Sequence, residues 1–251
     1  MLQFENVSVN KNKVQILKDV TFSLKPHTIT VLLGKNGSGK STLLSCLTSQ
    51  CNYRGNIFFG DKDLLLMEPK QRAQLVSVLP QILPSVPLTV EELVKLGRSP
   101  YIDLGRNFNE KDKEQVNRAI EETKTERIRH KKLTEISGGE RQRAYIAMVL
   151  AQNTRVVALD EPTTYLDAEN EKEFTNLLKE LKERHKKTLL VVMHNLDRAF
   201  EIADNVVVLE NGKMACFLKK EEALNGKIVE ELFNVKKYEV SIDGKRSYIF
   251  R

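Results

Sequence analysis

The chain has 251 residues, 41% hydrophobic and 29% charged, which allows a substantial buried core and excludes a disordered or fibrous protein. Its net charge of +6 comes from Lys and Arg interleaved with Glu, as at 173–187; with no aromatic-bearing basic stripe, it suits an anionic membrane surface as well as a nucleic acid, and no nucleic-acid partner is expected. Three cysteines (Cys46, Cys51, Cys216) form neither a paired disulfide framework nor a zinc pattern, as expected in a reduced, cytosolic compartment.

The opening segment "MLQFENVSVN" has no basic n-region and no apolar h-region, so no export signal is expected. The run "ITVLLG" (29–34) is the first of four short, unbroken apolar stretches; the others are "LVSVLPQ" (75–81), "VVALDE" (156–161) and "LLVVMH" (189–194). Continuous rather than alternating hydrophobicity predicts strands buried on both faces, hence a parallel sheet covered by helices. All fall far short of the roughly 18 residues a membrane span needs. After the first run, Leu43, Leu44 and Leu47 predict a helix.

"PQILPSVPLT" (80–89) holds three of the seven prolines and predicts an extended connector leaving the sheet. Beyond it, "VEELVKLG", a charged segment with Val116, Ala119, Ile120 and Thr123 on one face, and "AYIAMVLAQ" (144–152) predict an inserted helical lobe from about 83 to 150. Phe174, Leu177, Leu178 and Leu181, then Leu196, Ala199, Phe200 and Ala203, repeat helical spacing that marks core contacts. Near the C-terminus, Asp243–Gly244 between alternating residues predicts a β-hairpin.

The segment "GKNGSGKST" follows a predicted strand and opens a predicted helix, and its first eight residues fit G-x-x-x-x-G-K-[ST]. Gly34, Lys35, Asn36, Gly37, Ser38, Gly39, Lys40, Ser41 and Thr42 are therefore assigned to a nucleotide's phosphates. Glycines let backbone N–H groups face phosphate oxygens, Lys40 reaches the β- and γ-phosphates, and Ser41 can ligate Mg²⁺. Asp160 and Glu161 end another apolar run; the first can hold hydrated Mg²⁺ and the second can take a proton from an attacking water. Gln81 and His194 follow two further runs. Since open parallel sheets bind ligands at their carboxyl ends, Gly34, Gln81, Asp160 and His194 are expected to converge on one edge. "ISGGERQRA" (136–144) adds a second glycine-rich helix start, which also reads as a capping box from Ser137 to Glu140.

In order, "GKNGSGKST", Gln81, "ISGGERQRA", "VVALDEPT", "YLDA" and "VVMHN" resemble the nucleotide-binding subunit of ATP-binding cassette (ABC) transporters over nearly the whole chain. "LTVEELVKLGRSPY" (88–101), "IAMVLAQNT" (146–154) and "LDEPTTYLD" (159–167) resemble the ATPases of iron–siderophore, haem and cobalamin importers. The resemblance implies an α/β fold, a P-loop NTPase core with a parallel sheet, an N-terminal antiparallel β subdomain and an inserted helical subdomain. It implies one ABC ATPase domain over 1–251: core and antiparallel subdomain at 1–82 and 151–225, helical subdomain at 83–150, C-terminal helix and β-hairpin at 226–251.

It further implies a head-to-tail homodimer in which Ser137, Gly138, Gly139 and Glu140 close over ATP bound by the partner. Gln81 would contact Mg²⁺ and the attacking water, Glu161 would be the general base, His194 would hold the γ-phosphate, and Asp167 would couple the two sites. Residues 82–105 would receive a helix from a separate permease at the cytoplasmic face of the membrane, fed by an extracytoplasmic binding protein. The implied cargo is an iron chelate. Two positions depart from the family. Lys11 stands where an aromatic often stacks on adenine, which leaves nucleotide preference open, and Glu140 replaces a glutamine and is expected to point away from the γ-phosphate. A soluble iron–sulfur assembly ATPase is the rival reading, opposed by "KLGRSPY"; a P-loop kinase or GTPase accounts for neither "ISGGE" nor His194.

Overall fold

The unbroken apolar runs are strands whose two faces lie in two different cores. In the computed structural model, which describes residues 1–102, 108–163, 166, 168–242 and 245–251, the chain begins with β1 (Leu2–Lys11), β2 (Val14–Leu24) and β3 (Ile29–Leu33). Then come α1 (Lys40–Leu47), β4 (Arg54–Phe59), β5 (Lys62–Asp63), α2 (Pro69–Ala73) and β6 (Val76–Leu79). The helices α3 (Val90–Leu96), α4 (Glu110–Glu122) and α5 (Gly138–Ala151) precede β7 (Val156–Asp160), α6 (Ala168–Glu183), β8 (Thr188–Val192) and α7 (Leu196–Ile202). The chain closes with β9 (Asn205–Glu210), β10 (Lys213–Lys219), α8 (Lys220–Asn225), α9 (Ile228–Phe233), β11 (Lys237–Ile242) and β12 (Lys245–Phe250).

Among the described residues, six strands form one sheet in the order β10-β9-β3-β8-β7-β6. All neighbours pair in parallel except β10, which pairs antiparallel with β9. The four apolar runs supply β3, β6, β7 and β8. Sequence reasoning did not mark β9 and β10, although Asn211–Gly212, both at positive φ, forms the short turn between them. Along β8, Leu189 and Val191 face the core shared with the helical segment, while Leu190 and Val192 face the core under α1 and the N-terminal sheet. Val157 and Leu159 against Val156 and Ala158 divide β7 the same way. Burial on both faces removes the alternation a half-exposed strand would show.

β2-β1-β4-β5 form a second, antiparallel sheet. Phe4 stacks on Phe22 across β1 and β2 with ring centroids 4.5 Å apart. At the other end of the chain, β11 pairs antiparallel with β12, as the hairpin pattern predicts; Asp243 and Gly244 lie outside the described residues. The Phe250 ring stacks on Phe200 of α7 at 5.0 Å, which docks the hairpin on the core.

The helical segment packs α3 and α4 against α5, with Val116, Ala119 and Ile120 buried as their spacing requires. Arg98, at the end of α3, pairs its Nε with Asp112 Oδ1 at 2.9 Å, donates to the Ala151 carbonyl at 2.8 Å and stacks over Tyr101. Both ion-pair side chains are buried, so one arginine ties together three helices. A Cβ on Gly97 would lie 2.2 Å from the Met148 carbonyl oxygen, so only glycine permits α3 to approach α5 this closely.

Candidate active site

After β3 the chain turns through Gly34–Gly39 into α1. Gly39 is the N-cap at φ 101°, and a Cβ there would meet Leu17 Cδ2 at 2.5 Å; β2 therefore presses directly on the loop. The N-cap glycine has no side chain to cap α1, which leaves the helix's first N–H groups uncapped by it and able to bind an anion. The Ser38 hydroxyl is buried with no partner among the described residues. Lys40 is only 5% exposed, and its ammonium donates to the carbonyls of Gly34 at 2.8 Å and Lys35 at 3.2 Å. Burial holds its pKa below the usual lysine range, against the attraction of Glu161 and Asp160.

Asp160 ends β7 opposite Val192 of β8. Burial raises its carboxyl pKa, opposed by a hydrogen bond with Ser41, and its Oδ1 has no donor among the described residues. A buried carboxylate oxygen without a partner among the described residues, beside the Ser41 hydroxyl, supplies hard oxygen donors that fit Mg²⁺, and Gln81 lines the same cavity as Ser41. Glu161 follows at φ 48°, a conformation non-glycine residues rarely adopt, held by a bond from its N–H to the Val192 carbonyl at 3.2 Å. Its Oε2 accepts from Gln81 Nε2 at 2.5 Å, and its Oε1 meets His194 Nε2.

The strand ends therefore converge. Asn36, Gly37, Gly39, Lys40, Ser41, Thr42, Gln81, Glu161 and His194 line one cavity of about 700 Å³, joined by Lys11 and Ile16. Gly34, Lys35, Ser38 and Asp160 are not on its wall; Asp160 reaches it through Ser41. Asp167 lies outside the described residues.

Ser137, Gly138, Gly139 and Glu140 are absent from this wall. Ser137 Oγ accepts from the Glu140 N–H at 3.2 Å, and Glu140 Oε2 accepts from the Ser137 N–H at 2.9 Å, the capping box its spacing predicts. The Ser137 N–H holds the Glu140 carboxyl below the usual range, and Ser137 and Gly138 are exposed. Among the described residues of one chain, the second glycine-rich start does not line the cavity that the first one lines.

Sequence reasoning missed Gln142. Its buried Nε2 donates to the Pro162 carbonyl at 2.5 Å, linking α5 to the residue after Glu161. The signal was a polar residue on an apolar stripe, since Gln142, Tyr145, Ile146 and Val149 share one buried helix face.

With these positions in place, the family model described as ABC transporter matches residues 17–164, more than half of the chain. The chain belongs to the ABC transporter family. This ABC cassette is 36% identical over 237 residues to the petrobactin import ATP-binding protein FpuD of Bacillus anthracis, covering 93% of this chain and 86% of that one. It is 34% identical to the petrobactin import ATP-binding protein YclP of Bacillus subtilis, covering 100% and 99%. It superimposes on the dimeric structure of the bacterial ABC transporter cassette MJ0796 with a TM-score of 0.78 and 26% identity, over 88% of this cassette and 99% of the other. No helix among its described residues is long and apolar enough to cross a membrane.

Proposed function

We propose that this cassette is the ATP-hydrolysing subunit of an importer of ferric siderophores or related iron chelates, acting as a homodimer on the cytoplasmic face of a separate permease. The single observation that carries the sandwich is the separation of the exposed "SGGE" helix start from its own chain's phosphate cavity. Two copies packed head to tail put each start over the other's cavity. A γ-phosphate gripped from both sides then holds the copies together, and its hydrolysis releases them. The import names of the relatives support the cargo class and speak against a soluble iron–sulfur assembly ATPase.

The chain's own groups suit phosphoryl transfer to water. Lys40, now satisfied by the Gly34 and Lys35 carbonyls, can turn its ammonium to phosphate oxygens, and the uncapped α1 N-terminus adds N–H donors. Ser41, Asp160 and Gln81 would hold Mg²⁺, which when bound neutralises phosphate charge. Glu161 accepts the water's proton. Gln81 and His194 now engage its two carboxylate oxygens, so a His194 drawn to the γ-phosphate would free Oε1 for that water. Residues 82–105, in part outside the described residues, would dock the permease.

Mixing tests the sandwich. Lys40→Ala and Ser137→Arg copies should each be inactive alone and regain ATPase activity together, because the mixed dimer holds one intact composite site. No recovery on mixing, with wild-type turnover independent of protein concentration, would remove the dimeric site from the proposal. Uptake of radiolabelled iron chelate, lost on deletion of this subunit and restored by the wild type but not by Lys40→Ala, tests the cargo.

A further inference from the structure

The nucleotide cavity ends in a wall the catalytic chemistry does not use. Glu161, Gln81 and His194 mark where the terminal phosphate sits, so the nucleoside extends toward the remaining lining residues, Lys11 and Ile16. Among the described residues no Phe or Tyr lines the cavity, and the chain has no Trp. Lys11 and Ile16 thus offer the base no ring to stack on, a contact generally worth about 1–3 kcal/mol per base and indifferent to base identity.

The backbone fixes this wall. Lys11 ends β1 and pairs with Val14 of β2 across a two-residue turn, Asn12 and Lys13, both at positive φ (50° and 65°). Three residues after Val14, Leu17 abuts the Gly39 backbone of the phosphate loop, and Lys18 donates its N–H to the Gly212 carbonyl at 2.8 Å. The spacing from phosphate loop to Lys11 backbone is therefore set by packed β-structure. The Lys11 ammonium is exposed, with no ion pair or hydrogen bond among the described residues.

An ammonium has three donors and no acceptor. Guanine and hypoxanthine offer two acceptors on one edge, N7 and O6, whereas adenine offers N7 beside the N6 donor. A donor-only side chain at the base end favours the first pair. Resting on the nucleotide-site reading above, we propose that Lys11 reads the purine edge, so that this cassette binds and hydrolyses GTP and ITP at least as well as ATP.

Isothermal titration on Glu161→Gln, which separates binding from turnover, should give GTP and ITP dissociation constants about three- to tenfold below that of ATP, the scale of one exposed charge-assisted bond. Lys11→Met should erase that difference, Lys11→Arg should keep it, and 7-deaza-GTP should bind more weakly than GTP only when a cation stands at position 11. Steady-state kcat/KM for wild type should follow the same ranking, with the change in KM. Tighter binding of ATP than of GTP, or equal weakening of ATP, GTP, CTP and tripolyphosphate by Lys11→Met, would overturn base reading and assign Lys11 to the phosphates. If no nucleoside triphosphate binds at all, the failure belongs to the active-site assignment instead.

Discussion

The two glycine-rich helix starts look alike in sequence and differ in what their N–H groups do. At α1 the N-cap is a glycine with no capping side chain, Ser38 Oγ has no partner among the described residues, and Lys40 turns back onto its own loop. At α5 Ser137 and Glu140 satisfy each other. The first start leaves N–H groups and a lysine in a cavity, as the proposed phosphate role requires; the second is a self-capped, exposed helix end, as the proposed meeting with a partner's phosphate requires. Two similar motifs therefore need not be two copies of one site.

The largest expected effect tests what carries the second start. Arg98→Ala leaves the Asp112 carboxylate buried and unpaired, and should lower stability by about 3–5 kcal/mol, read as a shifted denaturation midpoint. If the helical segment keeps its stability, the buried pair is not what anchors α5. Next, Glu161→Gln should cut hydrolysis about 10²- to 10³-fold while ATP affinity stays within about threefold, with a nucleotide-bound dimer appearing on gel filtration. Unimpaired hydrolysis would take Glu161 out of the base role.

Smaller effects sharpen the contrast. Ser137→Ala removes a cap and should cost about 1 kcal/mol of stability, yet lower ATPase activity by more than that loss of fold explains. Glu140→Gln keeps a cap acceptor and should change ATP-dependent dimerisation less than about threefold, because the side chain turns back to Ser137. Tightening by orders of magnitude would place that carboxylate against the phosphate. In the helical segment, Arg129 and Lys95 lower the Glu91 pKa from 4.5 to about 2. Its stabilisation is thus fully present above pH 4.5 and is lost as pH falls from 4.5 toward 2. Acid denaturation of Glu91→Gln should show a shallower pH dependence across that window.

Much of the candidate site was legible because its signals are local. A glycine pattern between a strand and a helix, or a carboxylate pair after an apolar run, needs only neighbours in sequence, and Lys40, Ser41, Asp160 and Glu161 stand where those patterns put them. Gln81 and His194 needed one further rule, that parallel strands end on the same side. Gln142 escaped because its partner, Pro162, is twenty residues away on another element. Arg98 escaped similarly: as part of "KLGRSPY" it marked a likeness, and only packing shows it as the buried cation joining three helices.

By itself the sequence determined the strand-and-helix alternation, the glycine-rich turn from β3 into α1 and the acidic strand end, since hydrophobic period and turn chemistry act over a few residues. Tertiary structure decided which core each strand face enters, that Lys11 and Ile16 line the cavity, and that "SGGE" is not on that cavity's wall. Those outcomes depend on contacts between residues tens to more than a hundred positions apart, which a pattern read along one chain does not encode.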